Sequence, residues 1–245
     1  MDHVLTEYGL RLTYLCDPNV IEELDQDRIL DDLTDDTPDG DPVPWLTRHH
    51  LADYDHLVLV TDRHTGRHLA FLAANDGATA SEDFLFLETA FVATAARGQN
   101  LMRRMIALAM LRIGGMGTVP SVIVACTRNQ ACYRIMCNTA RRFTSAVFFP
   151  NVASVTINFN AATLAQRVAR VLCPNHRLHI STGTIRGMMA GMGASYRRVL
   201  SSNLQIDSLF GQSMRPADRM LALLDLRGAD EAVILEDARR LYRSR

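Results

Sequence analysis

The chain has 245 residues, of which 48% are hydrophobic, 22% charged and 7% aromatic, a composition that excludes disordered, collagen-like and disulfide-scaffold proteins. The net charge is −1, and all 26 basic residues are arginines that form no compact stripe, so we expect no nucleic-acid partner and no lysine Schiff-base chemistry. No apolar run approaches the roughly 20 residues of a membrane-spanning helix, and the first residues lack a secretory signal, so we expect a cytoplasmic protein without a membrane span.

Apolar periodicity along the chain predicts an α/β protein that begins with a strand and a helix. In chain order, the predicted elements are strand 9–16, helices 19–30 and 45–54, strands 56–61, 68–74 and 83–92, helix 100–113, strand 121–126, helix 129–143, strand 144–149, helix 161–172, strand 220–226 and helix 229–242. The polar residues 62–67 include a glycine and predict a hairpin turn. Gly114 and Gly115 are predicted to end the helix at 100–113.

The stretch 151–215 is interpreted as a long insertion late in a single α/β domain. Four glycines, at positions 183, 187, 191 and 193, follow no apolar strand and lack the spacing of a dinucleotide loop. We therefore expect flexible or closely packed backbone at these glycines.

The cysteines form no C-x-x-C pair and are odd in number, so we expect free thiols in a reducing compartment. They are Cys16, Cys126, Cys132, Cys137 and Cys173. The cysteine and histidines at 173–179 lack a second pair of ligands, so no metal site is expected there.

Residues 17–41 carry eleven acidic side chains and one arginine. A block of this kind either forms a solvated loop or steers a cationic acceptor towards a cleft. Both interpretations stay open from the sequence.

The segment 91–105, FVATAARGQNLMRRM, is the most informative part of the sequence, because a predicted strand turns there through a short polar loop into a long helix. The first N–H groups of a helix have no intrahelical partner and lie at the positive end of its dipole, so a phosphate on this loop needs no lysine. Arg97, Arg103 and Arg104 would add positive charge at the same end. The spacing alone fits equally well a strand–helix connection that binds nothing.

Residues 92–102 of this segment resemble the pyrophosphate loop of the GNAT superfamily of acyl-CoA-dependent N-acyltransferases, where an apolar strand end precedes Gln/Arg-x-x-Gly-x-Gly/Ala at the start of a helix. Arg97 and Gly98 fit this pattern, and Val92 stands five residues before Arg97. Asn100 and Met102 occupy the places of the family's Gly and Gly/Ala. Of these two, only Asn100 readily adopts a left-handed conformation, and Met102 is bulky where close approach to the cofactor is wanted.

The resemblance covers residues 9–149, with 220–226 as a final strand, and implies a mixed, mostly antiparallel sheet flanked by helices. The domain would then have a core at 9–149 and 220–242 around the insertion. The resemblance also implies acetyl-CoA or another acyl-CoA as a substrate, an amine acceptor and no metal, and it leaves open whether the protein is a homo-oligomer. The implied contacts to the acyl-CoA are Val92, Arg97, Gly98, Gln99, Asn100, Leu101 and Asn129.

An amine acceptor needs a base, and the departing thiolate needs an acid. Glu88 is the candidate base, because it is a lone carboxylate late in an apolar strand, where partial burial would raise its pKa towards the working range. An exposed residue paired with an arginine is the alternative. The family's acid is a tyrosine about seven residues after the position of Asn129, which is Met136 here. Tyr133 is therefore the candidate acid, with a packed core tyrosine as the alternative, and Asn129 equally suits a helix N-cap.

Two further functions fit the same sequence. The altered glycine pair and the displaced tyrosine suit a non-catalytic acyl-CoA-binding or interaction protein of the same fold. A long-chain N-acyl amino acid or acyl-homoserine lactone synthase-like enzyme would use the Met-rich helix and the insertion to line a wider tunnel.

Overall fold

The computed structural model describes residues 3–7, 9–34, 50–152, 156–188, 203–215 and 217–243. The chain divides into two compact units. Unit 1 comprises Met1–Asp76, Leu87–Val119 and Leu235–Arg245, and unit 2 comprises Gly77–Phe86 and Pro120–Ile234. The single domain with an insertion at 151–215 stays a prediction.

Unit 1 holds five strands in the order β1-β2-β3-β4-β5, of which β4 and β5 extend into unit 2. They are β1 His3–Glu7, β2 Leu10–Leu15, β3 His56–Asp62, β4 His68–Ala78 and β5 Asp83–Val92. The pairs β1–β2, β2–β3 and β3–β4 are antiparallel. The predicted hairpin between β3 and β4 is confirmed: Oδ1 of Asp62 accepts hydrogen bonds from the N–H groups of His64 and Thr65, which closes the polar turn.

The helices of unit 1 differ from prediction at two points. The expected helix at 19–30 is two helices, α1 Pro18–Glu22 and α2 Gln26–Thr34, and α1 is capped by Asp17, whose carboxylate accepts from the N–H of Asn19. Residues 45–49 of the expected helix at 45–54 lie outside the described residues, and Leu51–Asp53 is a single 3₁₀ turn.

The long helix α3, Leu101–Met116, runs through the glycines that were expected to end it. A Cβ added to Gly114 would lie 2.9 Å from a methyl carbon of Leu235 and 3.0 Å from one of Val119. Close packing therefore explains Gly114, and the prediction that it ends the helix is wrong. The helix ends instead at Met116, and Gly117, which has a φ of 155°, follows as its C-cap.

Unit 2 contains the first four residues of β5 and, among the described residues, five more strands, in the order β5-β6-β10-β9-β8 with β7 also paired to β10. Their bounds are β6 Val122–Thr127, β7 Val147–Phe149, β8 Leu178–His179, β9 Thr184–Ile185 and β10 Arg219–Asp225. β10 is antiparallel to β6, β7 and β9, and β8 is antiparallel to β9. The α/β architecture with a mixed, mostly antiparallel sheet flanked by helices is therefore confirmed.

The described residues after α3 form four further helices: α4 Gln130–Ala140, α5 Phe159–Leu172, α6 Leu204–Ser208 and α7 Glu231–Arg243. Helix α6 continues as a π-helical turn over Leu209–Ser213. Each unit has its own apolar core. In unit 1, α1 and α2 pack on β3 and β4, and in unit 2 the apolar face of α5 packs on β6 and β10. Among the described residues, no helix has the length and apolar character needed to cross a membrane.

Candidate functional site

The loop between β5 and α3 turns through two left-handed residues. After Val92 the chain forms a 3₁₀ turn over Thr94–Ala96, and then Gly98 has a φ of 85° and Asn100 a φ of 59°. Asparagine is among the few non-glycine residues that adopt this conformation readily. The left-handed conformation that was expected at Asn100 is observed, and it points the chain directly into the 16-residue helix α3.

The first turn of α3 has the polarity of an anion-binding helix end. Its first intrahelical hydrogen bond runs from the N–H of Arg104 to the carbonyl of Asn100 at 3.1 Å, so the N–H groups of Leu101, Met102 and Arg103 precede it. The side chain of Asn100 accepts a hydrogen bond from the guanidinium of Arg103 and does not cap the helix. Helix N–H groups that a side chain does not cap can donate to an anion.

Three long side chains of the loop and the first turn point in different directions. Arg97 is exposed, and its Nε donates to the carbonyl of Val92 at 3.2 Å. Arg104 is buried, with its guanidinium 5.3 Å from the ring centre of Tyr242, so the expectation that it adds charge at the loop is wrong. Met102 is only 7% exposed, so its bulk is packed away from the surface of the loop.

Glu88 is half-buried on β5, as expected for the candidate base. Its Oε2 accepts a hydrogen bond at 2.8 Å from the side-chain amide of Asn75, and Oδ1 of Asn75 accepts one at 3.1 Å from the N–H of Asp55. Burial raises the pKa of the neighbouring Tyr54, and the negative charge of Glu88 adds to this rise. Glu88 therefore belongs to a polar group on β4 and β5 that also includes Asn75.

Sequence reasoning missed Asn75, although a signal was present. Asn75 directly follows the apolar run at 70–74 and is thus a polar residue late in a buried strand, like Glu88 on β5. What the sequence does not give is the pairing of the two strands, which brings side chains 13 positions apart within hydrogen-bonding distance.

Asn129 lies in unit 2 and caps α4. Its Oδ1 accepts hydrogen bonds from the N–H of Ala131 at 2.8 Å and of Cys132 at 3.3 Å, and its own N–H donates to the hydroxyl of Thr127 at 2.9 Å. The expectation that Asn129 serves as a helix N-cap is confirmed. A contact between Asn129 and acyl-CoA stays a prediction.

Tyr133 also lies in unit 2 and is fully buried. Its hydroxyl donates to the carbonyl of Pro150 and accepts from the N–H of Val152, and its ring lies 5.4 Å from that of Phe148 and 5.7 Å from that of Phe210. Burial raises the pKa of this hydroxyl. These are the surroundings of a packed core tyrosine, the alternative that the sequence left open.

The structure groups the predicted site residues in two sets. Glu88 and the loop residues 92–101 belong to unit 1, and Asn129 and Tyr133 belong to unit 2.

All five cysteines are free of disulfide bonds. Among the residues that the structure describes, no three His, Cys, Asp or Glu side chains are grouped to hold a metal ion.

No protein-family model matches the chain, and no curated protein sequence matches it significantly. Similar solved structures include a chain of the NatC complex bound to Gag peptide and CoA, with 12% identity, coverage of 52% of this chain and 82% of that one, and a TM-score of 0.39. Another is the AtaT mutant toxin bound to the C-terminus of the antitoxin AtaR and acetyl-CoA, with 13% identity, 54% and 83% coverage and a TM-score of 0.39. A third is the diaminobutyrate acetyltransferase EctA from Paenibacillus lautus, with 17% identity, 57% and 81% coverage and a TM-score of 0.36. At TM-scores this low, the alignments establish neither a shared fold nor a shared activity.

Proposed function

We propose that this chain is an N-acyltransferase that transfers an acetyl or longer acyl group from acyl-CoA to an amine acceptor. The observation that carries the proposal is the loop at 92–101, whose residues resemble a GNAT pyrophosphate loop and whose left-handed Gly98 and Asn100 lead into the N-terminus of a 16-residue helix. A strand end, a left-handed turn and a helix N-terminus suit a diphosphate, since the N–H groups and the helix dipole both favour negative charge.

In this proposal, the backbone from Gly98 to Leu101 and the side chain of Gln99 hold the diphosphate of acyl-CoA. Arg97, which is exposed beside the loop, supplies a charge-assisted hydrogen bond once it leaves the carbonyl of Val92. Val92 would contact the pantetheine arm through its backbone. A contact of Asn129 with acyl-CoA is a separate prediction that rests on the resemblance alone.

Glu88 is the proposed base. It takes a proton from the ammonium group of the acceptor, directly or through water, and the neutral amine then attacks the thioester carbonyl. The new C–N bond forms, the C–S bond breaks, and CoA leaves as a thiolate. The nitrogen, which is positively charged after the attack, releases its second proton to water. The hydrogen bonds of Tyr133 to Pro150 and Val152 support a packing role for Tyr133 instead of the acid role that the resemblance implies, so we assign the proton of the thiolate to solvent.

Thiols are far more acidic than alcohols or amines, so CoA can leave as an unprotonated thiolate and a dedicated acid is not essential. A cytoplasmic location also belongs to the proposal, because five free cysteines suit a reducing compartment.

The deciding experiment is calorimetric titration with CoA, followed by an assay of thiol release from acetyl-CoA and from a long-chain acyl-CoA with a panel of amines. Arg97→Ala should weaken CoA binding by roughly 1–3 kcal/mol, because a charge-assisted phosphate contact is lost. Arg63→Ala, which removes another exposed arginine of unit 1, is the matched control and should bind as the wild type does.

Absence of CoA binding at millimolar concentration would overturn the proposal. Binding of CoA without thiol release in the presence of any amine of the panel would identify a non-catalytic acyl-CoA-binding protein. A strong preference for the long-chain donor would identify a long-chain acyl synthase.

A further inference from the structure

Cys126 and Cys173 face each other in the core of unit 2. Alternate residues of β6 point to the same side of the sheet, and Val122 and Val124 lie in the core that packs on α5, so Cys126 continues that face. Cys173 directly follows the last residue of α5 and is a buried member of the same core, against which Cys126 is packed. One thiol thus comes from a strand and the other from the helix that covers it.

The two thiols form a hydrogen bond with each other. This hydrogen bond lowers the pKa of Cys173, although burial opposes the change, and the hydrogen bond and burial together raise the pKa of Cys126. The positive charge of Arg219, which is buried on β10, also acts on Cys126 and favours negative charge at the pair. Cys126 is therefore the donor, and Cys173 is the member of the pair that more readily becomes a thiolate, the form that reacts with oxidants.

The backbone fixes both residues. Cys126 pairs with Leu221 in the antiparallel ladder between β6 and β10. The N–H of Cys173 donates to the carbonyl of Ala169 at 2.8 Å, and the carbonyl of Cys173 accepts from the N–H of His176 at 2.9 Å. Two groups that the fold holds side by side react with each other as if both were highly concentrated.

The exposure of the pair favours a small oxidant. Cys126 is partly exposed, whereas Cys173 is 4% exposed. A small peroxide can reach the two sulfur atoms from the side of Cys126. Thiol–disulfide exchange with oxidised glutathione would need access for a much larger molecule.

We propose that Cys126 and Cys173 form a peroxide-sensitive pair, which a small peroxide such as hydrogen peroxide converts to a disulfide that links the end of α5 to β6. The thiolate of Cys173 attacks one oxygen of the peroxide, the O–O bond breaks, and hydroxide leaves and takes up a proton to become water. Cys173 is then a sulfenic acid. The sulfur of Cys126 attacks the sulfur of Cys173, the S–S bond forms, the S–O bond breaks, and the hydroxyl leaves with the proton of Cys126 as a second water. The two thiols together lose two electrons, and one peroxide is reduced to two waters.

The test treats the reduced full chain with hydrogen peroxide, blocks the remaining thiols with iodoacetamide and maps the cysteines by mass spectrometry without reduction. Cleavage after arginine places each of the five cysteines on a different peptide, with Cys126 on 113–128 and Cys173 on 171–177. We expect these two peptides to be linked, with the loss of two hydrogen atoms per chain, and dithiothreitol to release them. The link should form roughly tenfold or more faster than Cys132 is oxidised, because Cys132 is also partly exposed but is hydrogen-bonded to Thr127 and not to a thiol.

Two serine variants separate the steps. In Cys126→Ser the sulfenic acid of Cys173 meets no thiol at that position, so it should persist and be labelled by dimedone, whereas Cys173 of the wild type should not be labelled. Cys132→Ser is the matched control, because it removes a thiol from α4 in the same unit, and it should form the link as the wild type does. Thermal unfolding shows that each variant is folded. The melting temperature of the oxidised wild type should rise, since a crosslink restricts the unfolded chain.

The proposal is wrong if the link forms only in urea, if Cys126 or Cys173 links mainly to another cysteine, or if Cys132 is oxidised first. It is also wrong if Cys173 in folded Cys126→Ser takes up no dimedone, or if oxidation lowers the melting temperature of the wild type, because the disulfide would then not fit the fold. The peptide map of the wild type needs no variant and decides the proposal even where a variant fails to fold. CoA is absent from every measurement, so the result does not bear on the proposed acyl transfer.

Discussion

The side-chain amide of Asn75 donates a hydrogen bond to Oε2 of Glu88 at 2.8 Å and is itself held by the N–H of Asp55, which donates to the amide oxygen at 3.1 Å. The amide oxygen of Asn75 is thus held by the backbone of Asp55, and the amide nitrogen of Asn75 in turn holds one carboxylate oxygen of Glu88. A base works best when its orientation is set before the substrate arrives. If Glu88 is the base, Asn75 is its positioning residue.

Glu88→Gln should lower turnover by about 10²–10⁴-fold and leave CoA affinity nearly intact, because the substitution keeps the shape and removes the proton acceptor. Asn75→Ala should cause a smaller loss and move the acidic limb of the pH–rate profile to higher pH, since a hydrogen bond to the charged carboxylate is lost. The two losses should be strongly non-additive in the double variant.

Steady-state kinetics of the two single variants and the double variant across pH provide the measurement, with Asp83→Asn, an exposed carboxylate on the same strand, as the control. Full activity in Glu88→Gln would reassign the base. Additive losses would mean that Asn75 acts independently of Glu88.

Met102→Ala should leave CoA binding unchanged or make it tighter, because the side chain is packed away from the surface of the loop. The same change removes buried volume and should lower the free energy of unfolding by about 2–5 kcal/mol. Met116→Ala on the same helix, where the side chain is 54% exposed, should change stability little. Urea unfolding and CoA titration of both variants test this, and a large loss of affinity in folded Met102→Ala would show that Met102 contacts CoA.

The sequence predicts an element well where the local pattern and the tertiary contacts agree. β5 has its predicted bounds because an almost continuous apolar run forms it, and β6 and β10 differ from prediction by one residue at each end for the same reason. The sequence did not predict β8 and β9, because each strand has only two residues and so shows no apolar periodicity. The prediction at Gly114 failed because the absence of a side chain there is required by packing against Leu235, 121 positions away in the sequence, and not by the end of a helix.

The candidate site divides in the same way. The left-handed Asn100 and the cap at Asn129 depend on neighbouring residues, and both were predictable. The Asn75–Glu88 pair depends on strand register, and the inward direction of Arg104 depends on a helix at the other end of the chain, so neither could be predicted from a local pattern.

The contact between Asp32 and His68 should make stability depend on pH. Burial alone would raise the pKa of Asp32, but hydrogen bonds from the backbone N–H and the ring of His68 outweigh it and lower that pKa below its ordinary value. A group with a lowered folded-state pKa stabilises the fold above its unfolded-state pKa, about 3.9 for aspartate, and this contribution is lost as pH falls through the folded-state value.

The free-energy difference between the wild type and Asp32→Asn should therefore be present at pH 5 and shrink progressively below about pH 4. Urea unfolding at a series of pH values measures this difference, and Asp31→Asn, an exposed neighbour on the same helix, should show a smaller pH dependence. A difference that stays constant down to pH 2 would mean that Asp32 does not titrate with folding.

Tyr133→Phe separates packing from acid catalysis. The hydroxyl of Tyr133 is buried between the carbonyl of Pro150 and the N–H of Val152, so its removal leaves both groups without that partner and should lower the free energy of unfolding by about 1–3 kcal/mol. Turnover per folded molecule should stay within about twofold of the wild type, because solvent can protonate the thiolate. Thermal unfolding and steady-state kinetics on the same preparation measure the two quantities. A loss of turnover of about 10²-fold or more with unchanged stability would instead make Tyr133 the general acid and show that its hydroxyl leaves Pro150 when the substrates are bound.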